Sequence, residues 1–149
     1  MAPDGRRPNA SGAAGRGTLL IDSLAGIYAA ILVSATHYPK PQDLLGANPP
    51  SDKLLHLVAY GLLGVVTAAA ASARGGWNGS RLALCGLVLA VFAALDEVTQ
   101  PLFGRAVEFA DWVADLAGLA IGVAAAVVWK RWRDTPRQAP SPHADEQRF

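Results

Sequence analysis

Residues 95–122 read LDEVTQPLFGRAVEFADWVADLAGLAIG, and the reading of this stretch decides the fold. It sets five acids, an arginine and a glutamine between two apolar segments. A charged side chain at the centre of a membrane-spanning helix costs roughly 2.5–3.5 kcal/mol on insertion scales, so these groups belong near an interface, against partners, or at a working site.

Working outward from that stretch, the apolar segments have the length and hydropathy of membrane spans. A helix rises 1.5 Å per residue, so about 20 residues cross a hydrocarbon core of about 30 Å. Four such segments are expected, over about 18–37, 53–72, 82–100 and 109–132. Ser51 offers a cap for the second, and Pro101 ends the third because proline cannot continue the helical ladder. Four prolines in 38–50 mark a loop, and ARGGWNGSR reads as a tight polar turn, with Asn78-Gly79-Ser80 a turn signal in preference to a glycosylation site. Trp112 and Trp129, about 26 Å apart along a helix, suit aromatic rings at two interfaces.

The remaining segments are polar and rich in small residues or proline. Residues 1–17 are expected to form a disordered basic arm and 133–149 a disordered tail, so 18–132 form one all-α membrane domain. A cleaved leader competes for the first span, because Val33-Ser34-Ala35 resembles a cleavage site, but Asp22 interrupts the apolar run and the run is long for a leader. Asp22 itself is expected to reach the interface or to pair with an arginine such as Arg16. Cys85, the only cysteine, permits no intrachain disulfide and reads as a small apolar helix residue.

Four spans put both termini on one side with the turn between spans two and three. Ten of the thirteen lysines and arginines fall there, leaving Lys40, Lys53 and Arg105 opposite, so the positive-inside rule makes that side cytoplasmic. Seven of the twelve acids lie at the outer ends. A net charge of +1 gives no reason to expect nucleic acid; membrane lipids are the expected surroundings.

Helical spacing gathers these outer charges. Asp52, His56, Tyr60 and Gly64 recur every four residues on the second helix. Asp96, Glu97 and Gln100 cluster at the end of the third. Asp111, Asp115, Gly118 and Gly122 form one stripe on the fourth, where Gly118-x-x-x-Gly122 permits close helix packing beneath the acids. Arg105 and Lys53 are placed to neutralise Glu97, Asp111 and Asp115 as a structural plug, or the same residues bind or transform an envelope molecule. Asp52, one turn before His56, is placed to orient its ring. A lone histidine falls short of a zinc set, carboxylates suit Mg²⁺ or Mn²⁺ better, and no metal or other cofactor is assigned. No Ser-His-Asp elbow or phosphate loop is present.

Four blocks in order, DKLLHLVAY (52–60), DEVTQ (96–100), GR (104–105) and DWVADLAG (111–118), resemble the VanZ-like family of small bacterial membrane proteins. The resemblance implies a helical domain with its polar motifs at one side, in the bacterial inner membrane, and a link to resistance against glycopeptides, teicoplanin in particular. It falls on Asp52, Lys53, His56, Glu97, Gln100, Arg105, Asp111 and Asp115; at 115 the family pattern often has asparagine. The expectation is a multi-pass protein acting at the outer leaflet on or near a lipid-linked envelope ligand or a glycopeptide. An enzyme using Glu97, Asp111 or His56 as acid or base and a non-catalytic structural or binding factor are both kept open. A four-helix monomer offers little room for a transport path, whereas an oligomer is compatible with one.

Overall fold

Four helices carry the chain in a computed structural model that describes residues 10–40, 45–75 and 79–135, with side chains from residue 17 onward. They are α1 (Ala10–Thr36), α2 (Asp52–Ala73), α3 (Gly79–Thr99) and α4 (Phe109–Asp134), with a 3-10 turn at Gln100–Phe103. No strand occurs among the described residues. Each helix is long and apolar enough to cross a membrane, the spans being Gly17–Thr36, Asp52–Ala73, Gly79–Phe103 and Phe109–Asp134.

Local chemistry explains most of the boundaries. Ser51 caps α2, its Oγ accepting from the Leu54 amide at 3.3 Å. Pro101 stands near the start of the 3-10 turn, and Gly104 closes that turn at φ +80°, a conformation that favours glycine. The Arg105 amide then bonds the Gln100 carbonyl at 3.3 Å, which turns the chain back across the bundle end. The apolar span expected over about 18–37 is Gly17–Thr36, and the helix that carries it begins earlier, at Ala10. Extending an existing helix through alanines is far easier than nucleating one, so the apolar segment carries its polar, Ala-rich approach into the helix. At the other end α4 runs to Asp134, where Lys130 pairs with Asp134 at 3.0 Å. The basic arm before residue 10, the turn residues 76–78 with Asn78, and the tail from 136 lie outside the described residues.

The α2–α4 pair is the most extensive contact in the bundle, and glycine makes it so. A Cβ on Gly122 would collide with the Gly61 carbonyl oxygen, and one on Gly118 with that of Leu57; on Gly64 it would sit 2.6 Å from the Leu119 oxygen. The Gly118/Gly122 face read from the sequence therefore meets a second small-residue face on α2. Leu32, Tyr60, Leu63, Ala93 and Leu119 form the core, drawn from all four helices. On α1 the opposite stripe, Leu20, Leu24, Ile27 and Ile31, is exposed, as befits a helix facing hydrocarbon. At the end away from the 3-10 turn, a cavity of about 520 Å³ opens among α2, α3 and α4, between Thr67, Cys85, Leu116 and Val127.

Side-chain placement specifies one expectation: Asp22 does pair with an arginine, and the partner is Arg74 at the end of α2, because the packing of α1 on α2 brings that guanidinium within reach. Trp129 is exposed, and Trp112 is half-buried against the core with its indole pointing to the Ala90 carbonyl at 3.5 Å.

Candidate functional site

At one end of the bundle every helix contributes polar side chains, and most are buried. Thr36 and His37 come from the end of α1, Asp52, Lys53, His56 and Tyr60 from α2, and Asp96, Glu97 and Thr99 from α3. Gln100 belongs to the 3-10 turn, Arg105 to the loop, Glu108 to the cap of α4, and Asp111 and Asp115 to its first turns. Thr36, His37, His56, Asp96, Glu97, Gln100, Asp111 and Asp115 are each no more than 8% exposed. Buried polar groups are tolerated only when bonded, so each partner matters.

Asp96 joins three helices. Its Oδ1 accepts from the Thr36 hydroxyl at 2.9 Å and its Oδ2 from the Tyr60 hydroxyl at 2.8 Å. His37 Nδ1 lies 2.8 Å from the Val33 carbonyl oxygen and 3.3 Å from Asp96 Oδ1. A carbonyl can only accept, so this nitrogen carries a proton. His37 Nε2 is 2.9 Å from the Thr99 hydroxyl, and the ring stands edge-on to Phe103 at 4.7 Å.

Arg105 clamps the ends of two helices. Its guanidinium donates to the Thr36 carbonyl at 2.6 Å, one of the carbonyls a helix C-terminus leaves open, and to Asp52 Oδ2 at the start of α2. The expected pairing of Arg105 with Glu97, Asp111 or Asp115 is thereby corrected. The physical reason is the left-handed Gly104, which turns the chain back toward the ends of α1 and α2. Lys53 donates to Glu108 at 2.7 Å and lies 3.4 Å from Asp111 Oδ1, so it does offset one of the expected acids. That ammonium holds the exposed Glu108 carboxyl below its ordinary range.

His56 and Glu97 occupy the interior of the cluster. His56 Nδ1 lies 2.9 Å from Asp115 Oδ1, across the glycine-lined α2–α4 contact. Asp115 therefore orients the ring, in place of the expected Asp52. Glu97 accepts the Glu108 amide at 2.5 Å and the Gln100 side-chain amide at 3.3 Å. Five buried atoms here have no hydrogen-bond partner among the described residues: Asp52 Oδ1, His56 Nε2, Gln100 Oε1, Asp111 Oδ1 and Asp115 Oδ2. Two overlapping trios bring one ligand-type atom from each member within 4.8 Å of the others: Asp52, His56 and Asp111, and His56, Glu97 and Asp115.

Asp52, Lys53, His56, Asp96, Glu97, Gln100, Arg105, Asp111 and Asp115 thus lie in one connected polar end, while Gly118 and Gly122 lie beneath it in the helix contact. Thr36, His37 and Thr99 are the residues that sequence reasoning passed over. Their signal was a polar dipeptide and a lone hydroxyl at the ends of apolar runs, with no spacing to tie them to the acids. Comparison of the chain with protein-family models, with curated proteins and with solved structures gave no match.

Proposed function

We propose that the chain is a VanZ-like protein of the bacterial inner membrane, with both termini cytoplasmic and the polar end at the outer face, acting on or near lipid-linked envelope material. The observation that carries this reading is the assembly of residues from all four motif blocks, 52–60, 96–100, 104–105 and 111–118, into one buried polar end on helices of membrane length. The positive-inside distribution supports the orientation, since the basic residues Arg74, Arg81, Lys130, Arg131 and Arg133 sit at the opposite ends of the helices. The VanZ-like resemblance supplies the expected phenotype, reduced susceptibility to teicoplanin.

A membrane-embedded acid–base enzyme is the second reading, favoured by the buried His56–Asp115 pair at 2.9 Å. A histidine held by a carboxylate at one nitrogen presents the other to a substrate. Expression in a teicoplanin-susceptible host tests the first reading: resistance should rise with the wild-type chain and fall with Glu97→Gln at equal membrane abundance. Unchanged susceptibility with abundant wild-type protein rejects the resistance role. Turnover of lipid-linked envelope precursors by the purified protein, lost in Glu97→Gln or Asp115→Asn, separates the enzyme from a factor that only binds.

A further inference from the structure

We propose that Asp52, His56 and Asp111 bind a divalent transition-metal cation, with Asp115 orienting the histidine from behind. Each of the three offers one buried atom with no hydrogen-bond partner among the described residues: Asp52 Oδ1, His56 Nε2 and Asp111 Oδ1, the last with the Lys53 ammonium 3.4 Å away as an ion pair. His56 is 2% exposed, so its orphaned nitrogen has no ready access to bulk water. Asp52 is more open, its side chain being 21% exposed, and it gives the position a route to the surface.

Ligand atoms of the three residues lie within 4.8 Å of one another. Metal bonds to histidine and carboxylate are about 2.0–2.2 Å, so ligands around one tetrahedral ion are about 3.3–3.6 Å apart, and the three side chains draw inward by up to about 1 Å each on binding. Asp52 and His56 are i and i+4 on α2, on one face, which is the spacing that lets one helix supply two ligands. Asp111 approaches from the start of α4, held in place by the glycine contact below.

The remaining bonds fit a metal ligand and its support. Asp115 Oδ1 lies 2.9 Å from His56 Nδ1, and a carboxylate on one ring nitrogen fixes the tautomer that leaves the other nitrogen free to coordinate. Arg105 takes the other oxygen of Asp52, and Lys53 bonds Glu108 while standing 3.4 Å from Asp111. Among the described residues six carboxylates, Asp52, Asp96, Glu97, Glu108, Asp111 and Asp115, share this end with three cationic side chains, Lys40, Lys53 and Arg105, so the local field draws in a cation. One imidazole among carboxylates favours Mn²⁺ or Zn²⁺ over the all-oxygen preferences of Mg²⁺ and Ca²⁺.

This site lies in the same polar end as the proposed envelope role and takes the His56 nitrogen that the acid–base reading presents to a substrate, but its test reads metal binding and no resistance phenotype. The full chain in detergent is titrated with Mn²⁺ and bound ion counted by electron paramagnetic resonance, with Zn²⁺ as competitor. One Mn²⁺ per chain, a spin-echo modulation from one directly bound nitrogen, and displacement by Zn²⁺ are expected. Asp111→Asn and His56→Gln should weaken binding at least tenfold, Asp115→Asn about 10–100-fold as an orienting partner, and Glu97→Gln by less than threefold. Absence of bound Mn²⁺ in the wild-type chain, or binding without the nitrogen signal, overturns the proposal, and neither result depends on a variant folding. Loss of binding in Glu97→Gln with retention in Asp111→Asn also overturns it, by moving the ion to the other trio.

Discussion

Asp96 takes a hydroxyl on each of its oxygens, from Thr36 and from Tyr60, and this double acceptance is a stability statement about single residues. Tyr60→Phe keeps the ring in the core but leaves Asp96 Oδ2 without its donor. A buried group deprived of its partner costs about 1–3 kcal/mol, so the variant should unfold correspondingly earlier when denaturing detergent is titrated into mixed micelles. Arg105 gives a second prediction. Double-mutant cycles should find a coupling of about 0.5–3 kcal/mol between Arg105→Gln and Asp52→Asn, and a smaller one between Arg105→Gln and Glu97→Gln. Equal couplings would contradict the clamp. That an arginine after Gly104 would be recruited by acids was legible in the sequence. Which acid was not, because six carboxylates gather at this end by spacing alone and only the path set by the left-handed glycine chooses among them. His37 was illegible for a related reason: its partners Thr99 and Asp96 lie about sixty residues away.

At the level of helices, the pairing of α2 with α4 rests on backbone approaching backbone. Gly122→Ala would press a methyl group against the Gly61 carbonyl. Overpacking of this kind costs about 1–3 kcal/mol, so the variant should lose stability in the same mixed-micelle assay. A Cβ on Gly26 in α1, by contrast, would meet nothing within 4 Å. Gly26→Ala should therefore be neutral or stabilising by about 0.5–1 kcal/mol through helix propensity alone. One half of this contact could be read in advance, since Gly118 and Gly122 share a face with Asp111 and Asp115. Of its counterpart on α2, Gly64 was read on the face of Asp52, His56 and Tyr60, but Gly61 and the pairing of both with α4 were not, because that pairing depends on the register of two helices about sixty residues apart in sequence. Helix ends behaved similarly. Ser51 and Pro101 announce boundaries through their own backbone chemistry, whereas the start at Ala10 depends on propagation from the apolar segment beyond it.

Across the whole molecule, burial runs opposite to that of a water-soluble protein. Acids, histidines and an amide are interior, while Leu20, Leu24, Ile31, Leu87, Val98 and Ile121 are more than half exposed. Hydropathy made this legible, because segments of this length and apolarity need hydrocarbon outside and leave charged groups only the ends or the interior. Orientation is tested on a Cys85→Ala background, with Ala47→Cys and Asn78→Cys each probed by an impermeant thiol reagent on intact cells. Labelling at position 47 alone is expected from the basic-residue distribution. Labelling at 78 alone would invert the topology.

The bonds at the polar end also bear on how the protein is made. Thr36–Asp96, Tyr60–Asp96, Asp52–Arg105, Lys53–Asp111 and His56–Asp115 all join the α1–α2 half to the α3–α4 half, as does the glycine contact. A ribosome releasing helices in order thus delivers a first hairpin whose histidines, lysine and hydroxyls stay unanswered until the second arrives. Neither hairpin is a finished object, yet each holds the complement of the other. Two polypeptides divided at the turn around residues 76–78 should be degraded when made alone and should accumulate together, co-purifying through a tag on one, when made in the same cell. That outcome would show the polar end joining the two inserted halves without a covalent link between them.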